Sequence, residues 1–199
     1  MGFTRAELES YVNSTVADLV GPGLLLLFVG INPGLWTAAT QTHFAHPGNR
    51  FYPALLAAGI IERPIGRGVA MSAADREYVL TRGIGITNIV HRATAKASEL
   101  SADELRAGGE QLRAFVREHR PRVVAVAGIT AYRTAFAQPR ATMGEQPDPF
   151  EGARLFAVAN PSGLNAHETV ATIAAAYREP AIIAGVVRRA SANEVWASR

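Results

Sequence analysis

Leu24-Leu25-Leu26-Leu27-Phe28-Val29 runs directly into Gly30-Ile31-Asn32-Pro33-Gly34-Leu35. The apolar run is uninterrupted, a pattern that fits a central strand covered on both faces better than an exposed edge strand. A turn built on Gly30, Pro33 and Gly34 then delivers a carboxamide, Asn32, just past the strand. Parallel sheets bind ligands outside the carboxyl ends of their strands, so Asn32 is the first residue to question.

Upstream, Thr4 and Glu7 have capping-box spacing, and Leu8, Val12, Val16 and Leu19 form one apolar stripe. The pattern predicts a leading helix to about residue 19, broken by Gly21-Pro22-Gly23. Downstream, residues 37–49 read as a polar, turn-rich loop, long for a compact domain, that leads into a helix over 50–58. Ser72 and Asp75 cap a helix ending near Gly83, residues 84–90 form a second strand, and Ser101 with Glu104 opens an amphipathic helix to about His119. Residues 123–127 form the third strand, Gly128 turns into a short helix, and 139–150 is a loop. A fourth strand at 155–159 ends in the tight turn Asn160-Pro161-Ser162-Gly163-Leu164-Asn165. Helices over 168–177 and 180–190 follow, with a fraying tail after Ser191.

This alternation predicts a three-layer α/β/α single domain over residues 1–199 with a mostly parallel central sheet. Asn32 and Asn160 both follow strands of that sheet, so two loops distant in sequence are expected to meet at one cleft.

Composition bounds the chemistry. With 199 residues and 48% hydrophobic content the chain can build one full core. Twenty Lys+Arg against 17 Asp+Glu leave a formal charge of +3, which permits an acidic polymer as partner without requiring one. The absence of Cys excludes disulfides, thiolate nucleophiles and cysteine zinc sites. The five His form no His-Glu-x-x-His pair, so no metal is expected. No apolar stretch is long enough to span a bilayer and no secretory leader is evident, so a cytoplasmic protein with no membrane association is expected.

Three clusters carry possible chemistry, each with a plainer reading beside it. Asn32 is a neutral amide and no general base; it can orient a water toward an electrophile, or close an Asx-type turn. Among His43, Phe44, His46, Asn49 and Arg50, Phe44 can stack on a planar base, or can seal the core with Phe51. In the 160–165 turn, Leu164 can enter a DNA stack beside an everted nucleotide, or can staple onto the next helix. Arg122, Arg133, Arg140 and Arg154 are candidates for a basic face. The chain lacks a phosphate-binding Gly-rich signature and a Gly-x-Ser-x-Gly elbow, which weakens nucleotide-triphosphatase and α/β-hydrolase readings.

Taken in order, Gly30-Ile31-Asn32-Pro33-Gly34-Leu35, Phe44-Ala45-His46-Pro47-Gly48-Asn49-Arg50-Phe51, Gly85-Ile86-Thr87-Asn88 and Asn160-Pro161-Ser162-Gly163-Leu164 resemble the mismatch-specific uracil/thymine DNA glycosylase family, a bacterial branch of the uracil-DNA glycosylase superfamily. The likeness is strongest over residues 24–179 and includes the 105–109 and 175–179 segments.

The resemblance implies a uracil-DNA glycosylase-like fold and a monofunctional enzyme. It would hydrolyse the N-glycosidic bond of uracil, or of thymine or a modified cytosine, opposite guanine in double-stranded DNA. It implies Asn32 as the water-positioning residue, Phe44 as the platform beneath the flipped base, and Ile31, Gly34, Leu35 and Asn88 as substrate-binding positions. Asn160, Ser162, Gly163, Leu164 and Asn165 would face DNA, with Leu164 in the wedge. No cofactor is implied, the expected partner is duplex DNA with a G·U or G·T mismatch, and a monomer is expected. Relatives often carry an acidic residue at the position of His91, and Ala166 stands where a relative can carry Arg. A non-catalytic mismatch binder using the same pocket and wedge is the alternative.

Overall fold

The structure, a computed structural model, describes residues 2–164 and 168–188. Its sheet contains β1 (Leu26–Gly30), β2 (Ile84–Asn88), β3 (Val123–Ala127), β4 (Gly144–Glu145) and β5 (Arg154–Val158) in the order β2-β1-β3-β5-β4. The first four positions are parallel, and only the two-residue β4 runs against its neighbour. Around the sheet lie α1 (Arg5–Glu9), α2 (Leu35–Thr40), α3 (Phe51–Ala57), α4 (Ala73–Thr81), α5 (Ala102–His119), α6 (Ile129–Ala135) and α7 (Val170–Ala184).

Every residue of β1, β2 and β3 is buried, as continuous apolar strands covered on both faces require. Alternation along β1 splits the core: Leu26 and Phe28 pack with Phe51, Leu55 and Tyr177 from α3 and α7, while Leu27 and Val29 pack with Leu112, Val116 and Tyr132 from α5 and α6. The result is the expected three-layer α/β/α arrangement with a mostly parallel sheet. Burying each such side chain contributes about 1.5–3 kcal/mol.

Where the elements differ from the sequence reading, local geometry explains it. The Thr4–Glu7 capping box forms, but α1 ends at Glu9 and Asn13 takes a left-handed conformation. Val16 and Leu19 are still buried, by another route: Val16 packs on Ala38 and Ala93, and Leu19 forms an antiparallel bridge with Ile86. The loop expected at 37–49 begins inside α2, whose small Thr37, Ala38, Ala39 and Thr40 carry no apolar stripe. The helices expected at 168–177 and 180–190 are one, since α7 continues through a buried Pro180 to Ala184. Residues 189–190 of the second lie outside the described residues. The short β4 interrupts the loop expected over 139–150.

The strand order places the site. β1 and β3 are neighbours, and the chain turns outward from them to β2 on one side and to β5 on the other. That is a topological switch point, where α/β sheets open a crevice at their carboxyl edge. Across that edge the strand ends present Asn88, then Ile31-Asn32, then Gly128, then Asn160. The capped Ser72 and Ser101 helices form as expected and flank β2 in sequence.

Candidate active site

Asn32 is held by its amide nitrogen. Nδ2 donates to the Arg92 carbonyl at 2.9 Å, to Thr94 Oγ1 at 2.7 Å and to the Pro33 carbonyl at 3.2 Å. Carbonyls only accept, and the Thr94 hydroxyl spends its own proton on the Lys96 carbonyl at 2.9 Å. The carboxamide orientation is therefore fixed, both amide hydrogens are used, and Oδ1 accepts from none of the described residues. The segment that supplies these acceptors is itself fastened. Ile89 and Val90 donate to the Gly30 and Ile31 carbonyls, and the Arg92 guanidinium reaches Glu104 at 2.8 Å and Asn13 at 3.0 Å. Arg92 holds the Glu104 carboxyl down to about 2.

A second group assembles on the α3 face of the sheet. Gly30 stands opposite Asn88 in register, and a Cβ on Gly30 would meet Asn88 Oδ1 at 2.5 Å and Phe44 Cζ at 3.3 Å. Glycine here is a packing requirement: the missing side chain is what lets the Asn88 amide and the Phe44 ring share one space. The Phe44 ring is half-buried and stacks on Phe51, with centroids 4.0 Å apart and planes at 22°. Its backbone is left-handed, φ 56°, a conformation that costs a non-glycine residue about 1–3 kcal/mol. The preceding carbonyl is pinned by the Tyr52 hydroxyl at 3.0 Å, so surrounding contacts enforce the strained placement.

The loops after β1 and β5 meet, as expected. A Cβ on Gly128 would lie 3.3 Å from Ile31 and 3.7 Å from Asn160 Nδ2. The 160–164 segment also clasps the loop that carries Phe44. Arg50 donates from its backbone to the Pro161 carbonyl at 2.9 Å and from Nη1 to the Ser162 carbonyl at 3.0 Å. Gly163 approaches Gly48 so closely that a Cβ would sit 2.6 Å from its carbonyl oxygen. Asn160 Oδ1 accepts from Ser162 N–H at 3.0 Å, shaping the turn, and Ser162 Oγ accepts from Leu164 N–H at 3.3 Å. Leu164 is 89% exposed, which removes the helix-staple reading. Asn165 lies outside the described residues, as do Ala166 and Trp196.

Other sequence candidates fall elsewhere. Leu35 starts α2 and packs partly into the Val16, Ala38 and Ala93 cluster, while Gly34 faces open space. Of the arginines considered for a basic face, Arg122 and Arg154 stand at the opening of β3 and β5, the edge opposite Asn32, and Arg154 is paired to Glu145 at 2.5 Å. A cavity of about 270 Å³ lies between β2 and α5; its walls include Thr87, Asn88, His91, Leu112 and Phe115 and not Phe44. Arg92 and Thr94, the anchors of Asn32, escaped the sequence reading; a threonine in an Ala-rich run signals nothing by itself.

A family model for the uracil DNA glycosylase superfamily matches residues 17–180. The chain belongs to that superfamily. The match spans β1 to β5 and all four strand ends just described. The solution NMR structure of a Methanosarcina acetivorans protein, provisionally named a uracil DNA glycosylase, is similar in fold. The TM-score is 0.55 at 15% identity, covering 84% of this chain and 98% of that one. No helix among the described residues is long and apolar enough to cross a membrane.

Proposed function

We propose that this superfamily member is a monofunctional glycosylase that removes uracil, and more slowly thymine, from opposite guanine in duplex DNA. It would work as a single-domain monomer. The observation that carries this reading is the Asn32 amide, whose nitrogen is saturated and whose oxygen is left to accept from a water. A glycosidic bond inside a stack is inaccessible, so the base must first leave the duplex. Phe44 offers the flipped pyrimidine a face to stack on, and Asn88 offers its edge an amide. Leu164, uncovered at the tip of a clasped turn, fills the space the base vacates. Ile31, Asn160, Ser162 and Gly163 shape the cleft between them.

In this account the C1′–N1 bond breaks with its electron pair going to the base, leaving a cationic sugar that the DNA phosphates help to stabilise. Water held by Asn32 Oδ1 adds to C1′ and then releases its proton. No carboxylate stands at this loop to deprotonate that water, so Asn32 acts by placement, and the chemistry is expected to be slow. A mismatch lowers the cost of extrusion and so contributes selectivity before any base contact is made.

Base release from duplexes carrying U·G, T·G and U·A, with enzyme in excess over DNA, tests the proposal. Wild type should release uracil fastest from U·G. Asn32→Ala should lose about 10²-fold or more in rate while retaining DNA binding, by the scale of removing one positioned polar group. Selective mismatch binding without any release would assign the chain to damage recognition instead.

A further inference from the structure

Asn88 is 4% exposed and its carboxamide has a partner that the proposed reaction does not use. Asn88 Nδ2 lies 3.2 Å from His43 Nδ1, and His43 Nε2 lies 3.0 Å from the Ala17 carbonyl. A carbonyl only accepts, so the ring proton of a neutral His43 resides on Nε2 and Nδ1 carries the lone pair. That lone pair takes a hydrogen from Asn88 Nδ2, which turns Asn88 Oδ1 toward Gly30 and Phe44. The orientation of one amide is thereby written by a backbone carbonyl two residues removed along a hydrogen-bond chain.

We infer that His43 is a positioning residue for base selection: through its Nε2–H tautomer it fixes Asn88 with Oδ1 facing the pocket, so that the site accepts a pyrimidine donating from N3 and rejects one that accepts there. Uracil and thymine carry N3–H beside a C4 carbonyl, whereas cytosine presents a bare N3 beside an amino group. Oδ1 toward the base matches the first pattern and repels the second. A proton on Nδ1 reverses the chain, because His43 then donates at both nitrogens and Asn88 must turn its oxygen toward the ring. Burial favours the neutral ring and pushes His43 below the ordinary imidazole value; His91 and Arg76 act in the same direction, against the Ala17 bond and Asp18. This inference rests on Asn88 facing the base, as proposed above.

The test uses duplexes with U or C opposite a tetrahydrofuran abasic analogue, so that neither base is paired and flipping is equalised. In wild type, uracil is released and cytosine is not, and KM for the uracil duplex rises as pH falls below the ordinary imidazole range. His43→Phe removes the acceptor; uracil release should fall about tenfold, the scale of one misdirected buried hydrogen bond, and the preference over cytosine should narrow. His43→Asn keeps an acceptor oxygen at the Nδ1 position without a titrating ring, so it should retain uracil preference at neutral pH and lose the acid rise in KM. Unchanged preference in His43→Phe, or an unchanged acid rise in His43→Asn, overturns the inference. Asn88→Ala separates the levels: a loss of uracil preference there with none in the His43 variants defeats the tautomer relay alone, whereas no loss in Asn88→Ala defeats the pocket reading beneath it.

Discussion

The loop after β1 ties its polar residue down through three hydrogen bonds from one nitrogen, whereas the loop after β5 leaves its apolar residue 89% exposed. Both follow parallel strands, both open on an asparagine, and they meet above Gly128. On the proposed reading, their opposite treatment follows from what each would have to do. A group that places a water must hold its orientation before the substrate arrives, because reorganisation during reaction adds to the barrier. A wedge gains by having nothing to bury against until DNA supplies it, since apolar surface already covered offers no further driving force. The β5 turn is still held at its base, by Arg50 and by the Gly48–Gly163 approach, while Leu164 next to it is open.

The comparison breaks most sharply at Asn32→Asp. An added carboxylate resembles a gain, since it is a base where the native amide is not. Yet the native nitrogen faces two carbonyl oxygens and a hydroxyl whose proton is committed elsewhere, and a carboxylate cannot donate to any of them. The substitution should cost about 1–3 kcal/mol of stability by orphaning those acceptors. Base release should fall by at least about tenfold rather than rise, by the same unmade-bond scale. Urea unfolding and single-turnover release on one U·G duplex measure both. Faster release in the variant would mean that the amide lock is dispensable and that placement is not how this loop works.

Leu164→Ala probes the other side. An 89% exposed side chain contributes little to folding, so the unfolding midpoint should stay within about 0.5 kcal/mol of wild type. Affinity for a U·G duplex should weaken about tenfold, since burying a leucine is worth about 1.5–3 kcal/mol and part of that returns through the truncated chain. Release at saturating enzyme should change less than affinity does. If stability falls instead, Leu164 is packing material and the asymmetry between the loops disappears.

The two loops also differ in how far the sequence revealed them. β1 could be read from its unbroken apolar run because both faces are covered, and β3 for the same reason. The 160–164 turn stood out because Asn-Pro and Ser-Gly punctuate the chain locally. What holds Asn32 lies about sixty residues away, in Arg92 and Thr94, and contacts at that separation leave no periodic trace. The leading helix was overread for a related reason: Leu8, Val12, Val16 and Leu19 keep helical spacing, yet Leu19 is buried by pairing with Ile86, a partner that spacing does not encode. His43 and Asn88 were visible as residues but not as a hydrogen-bonded pair, since the link passes between the loop after α2 and the end of β2.

The smallest effect concerns the fastening behind the first loop. His91 Nε2 and Asp18 lie 3.3 Å apart, and Asp18 also accepts from the Thr87 hydroxyl at 2.6 Å. The bond to Asp18 raises His91 against the opposing pull of burial. For Asp18 burial pushes upward, and the bonds from His91 and Thr87 outweigh it, so its carboxyl sits below its ordinary value. A histidine raised on folding stabilises fully below its unfolded value, near 6.5, and loses that contribution as pH climbs through the folded value. A carboxylate lowered on folding does the reverse, contributing above about 4 and failing as pH drops through its folded value. The pair is therefore strongest between about pH 4 and 6.5. With the His91 side chain 37% exposed, solvent limits its worth to about 1 kcal/mol or less. Wild type should lose that much stability between pH 6 and pH 8.5 in urea unfolding, and His91→Gln should not. Because His91 adjoins Arg92, the same pH rise should slow base release slightly while leaving the contribution of Leu164 to binding unchanged. A matching loss of Leu164-dependent affinity would show that the two loops are coupled, and that the separation between a locked loop and an open one is narrower than their hydrogen bonds suggest.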